Sequence, residues 1–331
     1  MKKPIVELNH LTTGYVLKKG HKVIAKEVTA TLYSGELTCL LGPNGAGKST
    51  LLRTLSGNLP PIAGSITLCG RPFSSYTSQE MSTLLGIVLT EKCSIRNMTV
   101  RELIGLGRSP YTGFWGILRE ADYKAIDLAL EQVGIPFLAD RMVQTLSDGE
   151  RQKMMIAKAL AQETPIIFLD EPTAFLDFPS KVETMQLLRK LSYEMGKTIF
   201  LSTHDLELAL QIADKLWLID GAKQVRIGTP EDLSLDGSLS QFFSSEEILF
   251  DTRSGLFRIQ THGDKNIGIK GEDNDRKSML RKALQRNGYA VIDSYAASLW
   301  IEVTNSAFII HNATQNKQAA TIEELLSFLS D

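Results

Sequence analysis

Short apolar runs recur along the chain up to about residue 235, at Ile5–Leu8, Leu37–Leu41, Ser65–Leu68, Gly86–Leu89, Ile166–Leu169, Thr198–Leu201 and Lys215–Ile219. Between several of them the apolar positions switch to helical spacing, over Ser49–Ser56, Ala121–Val133, Glu150–Ala161 and Lys181–Met195. Near-continuous apolar strands alternating with helices predict a buried, largely parallel sheet and an α/β fold. From about Met98 to Gln144 strand signals fade, so an inserted helical subdomain is expected over about residues 98–145. Glu231–Glu247 is rich in Ser, Asp and Glu and reads as a linker or loose helix. The pattern then restarts, with strands near Leu256–Gln260, Asn266–Lys270, Leu299–Val303 and Ala307–His311 and helices near Asp275–Asn287 and Ile322–Leu329. Gly288 stands where a helix C-terminal cap belongs. The expected organisation is a first domain over residues 1–235, a linker over 236–250 and a small α+β accessory domain over 251–331. In that last domain Trp300, Phe308 and Ile309 are expected in the core and His311 at the surface.

Composition narrows the function classes. The chain has 331 residues, 43% hydrophobic and 22% charged, which is ordinary for globular domains and excludes wholesale disorder. Lys and Arg number 36 against 38 Asp and Glu, a net charge of -2, so nothing calls for a nucleic-acid partner. Cys39, Cys69 and Cys93 form no CxxC or Cys/His cluster, which argues against a zinc site or disulfide scaffold. No run approaches the ~18 apolar residues of a membrane helix, and Met1-Lys2-Lys3-Pro4 lacks a signal-peptide core.

One segment carries explicit chemistry. Gly42-Pro43-Asn44-Gly45-Ala46-Gly47-Lys48-Ser49 fits G-x-x-x-x-G-K-[ST], follows an apolar strand and opens a helix. Its glycines let backbone N–H groups converge on phosphate oxygens, and the helix N-terminus adds its positive dipole end. Lys48 is expected to reach the β- and γ-phosphates, and Ser49 to offer a hydroxyl to Mg²⁺. Ile166–Leu169 ends in Asp170-Glu171 at a sheet's carboxyl edge, where open α/β folds bind ligands. Alone, such a pair reads equally as a solvated turn. Beside a phosphate loop, Asp170 reads as a Mg²⁺ partner and Glu171 as the general base. Thr198–Leu201 leads to His204, placed at the same edge to contact the γ-phosphate or position Glu171.

Leu146-Ser147-Asp148-Gly149-Glu150-Arg151-Gln152 lies between these regions, and Ala174-Phe-Leu-Asp177 follows the acids. With these motifs in this order, residues 4–235 resemble the ATP-binding cassette (ABC) ATPases, a P-loop NTPase fold. The resemblance implies that Lys48, Ser49, Thr50 and the loop amides bind ATP and that Tyr15 stacks on adenine, although Tyr15 could equally pack on the sheet edge. It implies that two copies pair head to tail, with Ser147, Asp148, Gly149 and Glu150 of one facing the triphosphate of the other, and that Asp177 lines that interface. Two departures stand out. Asp148 and Glu150 replace the usual Gly and Gln. Glu91 stands where the family carries a Mg²⁺-binding Gln, and is expected to take that role or to be a turn residue. Asn97–Tyr111, with Arg108-Ser-Pro110, resembles the ATPases of the iron–siderophore, haem and cobalamin importers. That group implies separate membrane permease subunits, a substrate-binding protein feeding them, and a place on the cytoplasmic face of the cell membrane. The rival class is a soluble ABC ATPase, of which the iron–sulfur assembly type is hardest to set aside.

Overall fold

The computed structural model describes residues 2–18, 20–89, 97–220, 223–243, 248–251, 256–259, 265–292, 299–312 and 316–330. The chain divides into two compact units, Met1–Phe242 and Phe243–Asp331.

The first unit opens with strands β1 (Pro4–Val16), β2 (His21–Tyr33) and β3 (Leu37–Leu41), then helix α1 (Lys48–Leu55) and strands β4 (Ala63–Leu68) and β5 (Arg71–Pro72). Helix α2 (Ser78–Leu84), strand β6 (Leu85–Val88) and helices α3 (Val100–Gly105), α4 (Glu120–Gln132) and α5 (Asp148–Ala161) follow. Next come β7 (Ile166–Asp170), α6 (Phe178–Tyr193), β8 (Thr198–Thr203), α7 (Leu206–Ile212), β9 (Lys215–Ile219), β10 (Val225–Gly228), α8 (Pro230–Leu235) and α9 (Ser238–Phe243).

A six-stranded sheet of order β10-β9-β3-β8-β7-β6 forms the centre, with every neighbouring pair from β9 to β6 parallel. All five residues of β3 are buried between β8 and β9, which is why its sequence is apolar but for Thr38. Phe168, Phe200 and Trp217 come from three different strands and meet edge to face at 5.5 and 5.0 Å. Each such ring contributes about 1.5–3 kcal/mol by leaving water. Helices start where the sequence supplies caps: Thr77 with Glu80 at α2, and Thr99 with Glu102 at α3, both closing reciprocal capping boxes.

The sheet expectation needs one correction. The runs at Ile5–Leu8 and Ser65–Leu68 belong to a separate four-stranded sheet, β2-β1-β4-β5, paired antiparallel throughout. Its partner β2 carries no long apolar run of its own, because His21, Lys22, Lys26 and Glu27 dilute it. Such a one-faced strand alternates polar and apolar residues, as antiparallel sheets with a wet side do.

Helices α3 and α4 pack on α5 and hold the buried Arg108. Its Nε donates to Asp122 at 2.8 Å, while Nη1 donates to Glu163 at 2.6 Å and to the Ala161 carbonyl at 2.7 Å. Arg108 thus ties the helical insertion to the end of α5. Of the stretch expected as linker or loose helix, α8 covers the start, before residue 236, and α9 lies within 236–250.

The second unit contains a hairpin of β11 (Ile248–Asp251) and β12 (Leu256–Ile259). It continues with β13 (Lys265–Lys270), α10 (Asp275–Arg286), β14 (Tyr289–Ile292), β15 (Trp300–Val303), β16 (Phe308–His311), β17 (Asn316–Ala319) and α11 (Ile322–Ser330). The five-stranded sheet runs β14-β13-β15-β16-β17. Ile267, Ile269, Ile301, Val303, Phe308 and Ile310 join Leu280, Leu284 and Leu325 from the helices in one core. Strand alternation corrects three expectations. Trp300 and Ile309 are only half-buried, on the opposite face from Phe308, and His311 lies half-buried against Trp300 with ring centroids 3.8 Å apart. Cys39 is buried and Cys69 half-buried; Cys93 lies outside the described residues. Among the described residues no helix is long and apolar enough to cross a membrane.

Candidate nucleotide site

The site grows out of the end of β3. The chain leaves the sheet at Gly42, where a Cβ would lie 2.6 Å from the Ile219 carbonyl oxygen, and re-enters regular structure at Lys48. Gly47 caps α1 with φ 102°, and a Cβ there would sit 1.9 Å from Ile24 Cγ2. Only glycine satisfies both conditions. Because Gly47 has no side chain and the first turn of α1 carries no acid, the first N–H groups of the helix face outward for an anion. Pro43, Asn44 and Gly45 are exposed, and Ala46 is half-buried, its N–H donating to the Pro43 carbonyl at 3.2 Å.

The side chains around the loop converge. Lys48 is only 5% exposed. Its Nζ donates to the Gly42 carbonyl at 2.9 Å and lies 3.6 Å from Glu171 Oε1. The other Glu171 oxygen lies 3.6 Å from His204 Nδ1. Glu171 takes φ 44°, a left-handed backbone that a non-glycine residue adopts at a cost of order 1–3 kcal/mol. Its N–H is held by the Ser202 hydroxyl at 2.9 Å and its side chain is 26% exposed, so the carboxylate stands between lysine and histidine with access to water. Asp170 accepts from Ser49 Oγ at 3.1 Å and from Ser202 Oγ at 2.6 Å. Ser49 and Asp170 place hard oxygen donors side by side. Among the described residues no group of three or more His, Cys, Asp and Glu suits a metal, so a divalent ion here would draw its remaining ligands from phosphate and water. That donor set suits Mg²⁺. The Tyr15 hydroxyl lies 3.2 Å from Thr50 Oγ1, and Tyr15 is 37% exposed.

The second expected cluster forms on another helix. Ser147 caps α5, its Oγ accepting from Glu150 N–H at 3.2 Å, while Glu150 Oε2 accepts from Ser147 N–H at 2.8 Å. Arg141 Nη1 lies 3.3 Å from Glu150 Oε1. The Ser147 backbone donor first, with the Ser147 hydroxyl and the charges of Arg141 and Lys153 adding, holds the Glu150 carboxyl below the usual range. Asp177 caps α6, accepting from Ser180 N–H at 3.1 Å, and the Ser180 donors hold its carboxyl low as well. A Cβ on Gly149 would lie 3.1 Å from Ser180 Oγ, so the starts of α5 and α6 adjoin. Asp148 is exposed. Glu91 lies outside the described residues.

Sequence reasoning missed Ser202 and Arg141. Ser202 pairs with Asp170 across β7 and β8, a register that no local motif announces.

Residues 25–174 match the ABC transporter family, and residues 264–330 match the iron ABC transporter C-terminal domain. An uncharacterised ABC transporter ATP-binding protein of Methanocaldococcus jannaschii is 37% identical over 80% of this chain and 90% of its own length. The ferric enterobactin transport ATP-binding protein FepC of Escherichia coli is 38% identical over 73% of this chain and 88% of its own. Among solved structures, a dimeric bacterial ABC transporter cassette superposes with a TM-score of 0.60 at 27% identity, covering 68% of this chain and 99% of that one. The phosphate loop, the acids at the end of β7 and these relatives agree: the chain belongs to the ABC transporter family, as an ATP-binding subunit that hydrolyses ATP.

Proposed function

We propose that this chain drives import of an iron complex, or of cobalamin, by hydrolysing ATP on the cytoplasmic face of the cell membrane. It acts through separate permease subunits, fed by a substrate-binding protein. The observation that carries the iron assignment is the match of residues 264–330 to the iron ABC transporter C-terminal domain; the likeness to FepC supports it.

In this reading two copies clamp two ATP molecules, as the likeness to a dimeric cassette supports. The loop Gly42–Gly47, through the N–H groups of its non-proline residues, Lys48 and Thr50 bind phosphate, and Tyr15 exchanges its Thr50 contact for the adenine face. Ser49 and Asp170 hold Mg²⁺, which neutralises phosphate charge when bound. Glu171 accepts a proton from water as its oxygen attacks the γ-phosphorus; the bond to the β–γ bridging oxygen breaks and ADP leaves. Lys48 steadies the transferring charge, and His204 fixes the Glu171 carboxylate. Positioning and charge supply most of such catalysis. Ser147 and the Gly149 backbone meet the partner copy's γ-phosphate, beside Asp177, so its loss opens the pair.

A Glu171→Gln protein is expected to bind ATP and pair, with turnover down by about 10²-fold or more. Normal turnover overturns the assignment of the base. For the transport reading, the tagged chain should co-purify with a many-span membrane protein and its deletion should abolish uptake of ferric siderophore. Uptake of both iron complex and cobalamin at wild-type rates in the deletion strain overturns it.

A further inference from the structure

The start of α5 presents an electrostatic problem. A helix end that is to meet a triphosphate carries Asp148 and Glu150 in its first turn. Like charges brought together in a narrowing interface repel, and desolvation strengthens the repulsion. Glu150 is nevertheless built into the cap: its carboxylate latches the Ser147 N–H at 2.8 Å, and its own N–H donates to Ser147 Oγ at 3.2 Å. The Ser147 hydroxyl accepts from the backbone while its own proton leans on the Glu150 carboxylate. Glu150 therefore fixes the Ser147 side chain at the helix start, and its negative charge both holds the hydroxyl proton and stands beside the place where phosphate is to arrive.

The compensating charge comes from outside the helix. Arg141 reaches Glu150 Oε1 with Nη1 at 3.3 Å, while its Nη2 donates to the Thr145 carbonyl at 3.2 Å. The second bond holds the guanidinium fork in place. The Arg141 backbone is itself anchored, its carbonyl accepting from Val100 N–H at 2.9 Å.

We infer that Arg141 is a positioning residue for ATP hydrolysis: it offsets the charge of the Glu150 latch, loosening its hold on the Ser147 hydroxyl proton, so that Ser147 meets a second copy's triphosphate with only the exposed, solvated Asp148 left uncompensated beside it. This rests on the proposed pairing of two copies. Both side chains are partly exposed, so the effect is that of a screened pair and grows as the interface closes.

The test compares Arg141→Ala, Arg141→Lys, Glu150→Gln and Arg141→Ala/Glu150→Gln in the full chain. Hydrolysis is followed against ATP concentration at low salt and at about 1 M salt, where the screening length shrinks to about 3 Å. Arg141→Ala should raise the apparent KM for ATP by roughly two- to fivefold, with kcat little changed. Arg141→Lys, which keeps the charge, should recover most of the loss. The double variant should return towards wild type, and high salt should erase the difference. A KM unchanged in Arg141→Ala, or raised equally in the double variant and at high salt, overturns the inference; the second result would assign Arg141 to the Thr145 contact alone. Ser147→Ala in a Glu171→Gln background, followed by ATP-driven dimerisation in sedimentation, separates the two readings. No ATP-driven dimer even with Ser147 intact sinks the pairing itself, and dimerisation that survives Ser147→Ala sinks the place of Ser147 at the partner's triphosphate and the role of Arg141 with it. Dimerisation lost there, with Arg141→Ala silent, sinks only the role of Arg141.

Discussion

Helices α1 and α5 both begin at expected anion-facing ends, yet they are built in opposite ways. The α1 end has a glycine cap, no side-chain hydrogen bond and no acid in its first turn, leaving its backbone donors open. The α5 end closes a reciprocal capping box with Ser147 and Glu150 and carries two acids. An uncapped helix start forgoes about 0.5–2 kcal/mol of capping free energy, which a bound phosphate restores. A capped start is complete by itself and offers only what its side chains have spare. In the proposed pairing, the first design suits the copy that binds the nucleotide, and the second suits a copy that meets it only when two chains close.

This contrast can be broken first at Gly47. Gly47→Ala adds a Cβ 1.9 Å from Ile24 Cγ2 at a φ that alanine avoids. ATP affinity in calorimetric titration should fall by at least about 10²-fold, with a lower melting temperature, since such strain costs of order 1–3 kcal/mol before the clash. Gly45→Ala sharpens the point: φ is also positive, at 80°, but a Cβ meets nothing within 4 Å, so its loss should be confined to the strain. Equal losses at both positions would mean that close packing of the loop is not what the glycines provide.

Ser147→Ala should have an intermediate effect. Loss of the cap costs about 1 kcal/mol of stability, readable in urea unfolding, while hydrolysis should fall further than that destabilisation explains. Parallel losses would reduce Ser147 to a cap. The smallest effect is on acid stability. The carboxyls of Glu80, Glu102, Glu150 and Asp177 all lie below their ordinary values, chiefly because the N–H or hydroxyl groups they cap donate to them. Groups with depressed folded values stabilise fully above the ordinary carboxylate range near about pH 4. That contribution fades as pH falls through the depressed values. The starts of α2, α3, α5 and α6 should therefore loosen in acid, whereas α1, without an acidic cap, should not follow them. Amide hydrogen exchange between pH 6 and pH 3, corrected for intrinsic rates, distinguishes the two groups.

Much of this was legible along the chain because the physics is local. The phosphate loop depends on glycine dihedrals and one helix start within eight consecutive residues, Gly42 to Ser49, and the T-x-x-E and S-x-x-E caps close over three residues. The near-continuous apolar character of β3, β7 and β8 likewise announced burial on both faces. Strand partnership was another matter. A run such as Ile5–Leu8 carries no mark of which sheet it will join, because the choice depends on the charged, alternating β2 across a turn. In the second unit, the placement of Trp300 and Ile309 on the face opposite Phe308 follows from strand phase, which a list of apolar residues does not contain.

The residue chemistry of ATP binding was thus written in short stretches, where neighbours in sequence are neighbours in space. What the tertiary structure alone decided are the contacts between distant stretches: Ser202 on Asp170 across 32 positions, Lys48 and His204 on the two oxygens of Glu171, and Arg141 on Glu150. Those pairings are set by strand register and helix packing, and both exist only once the core has closed.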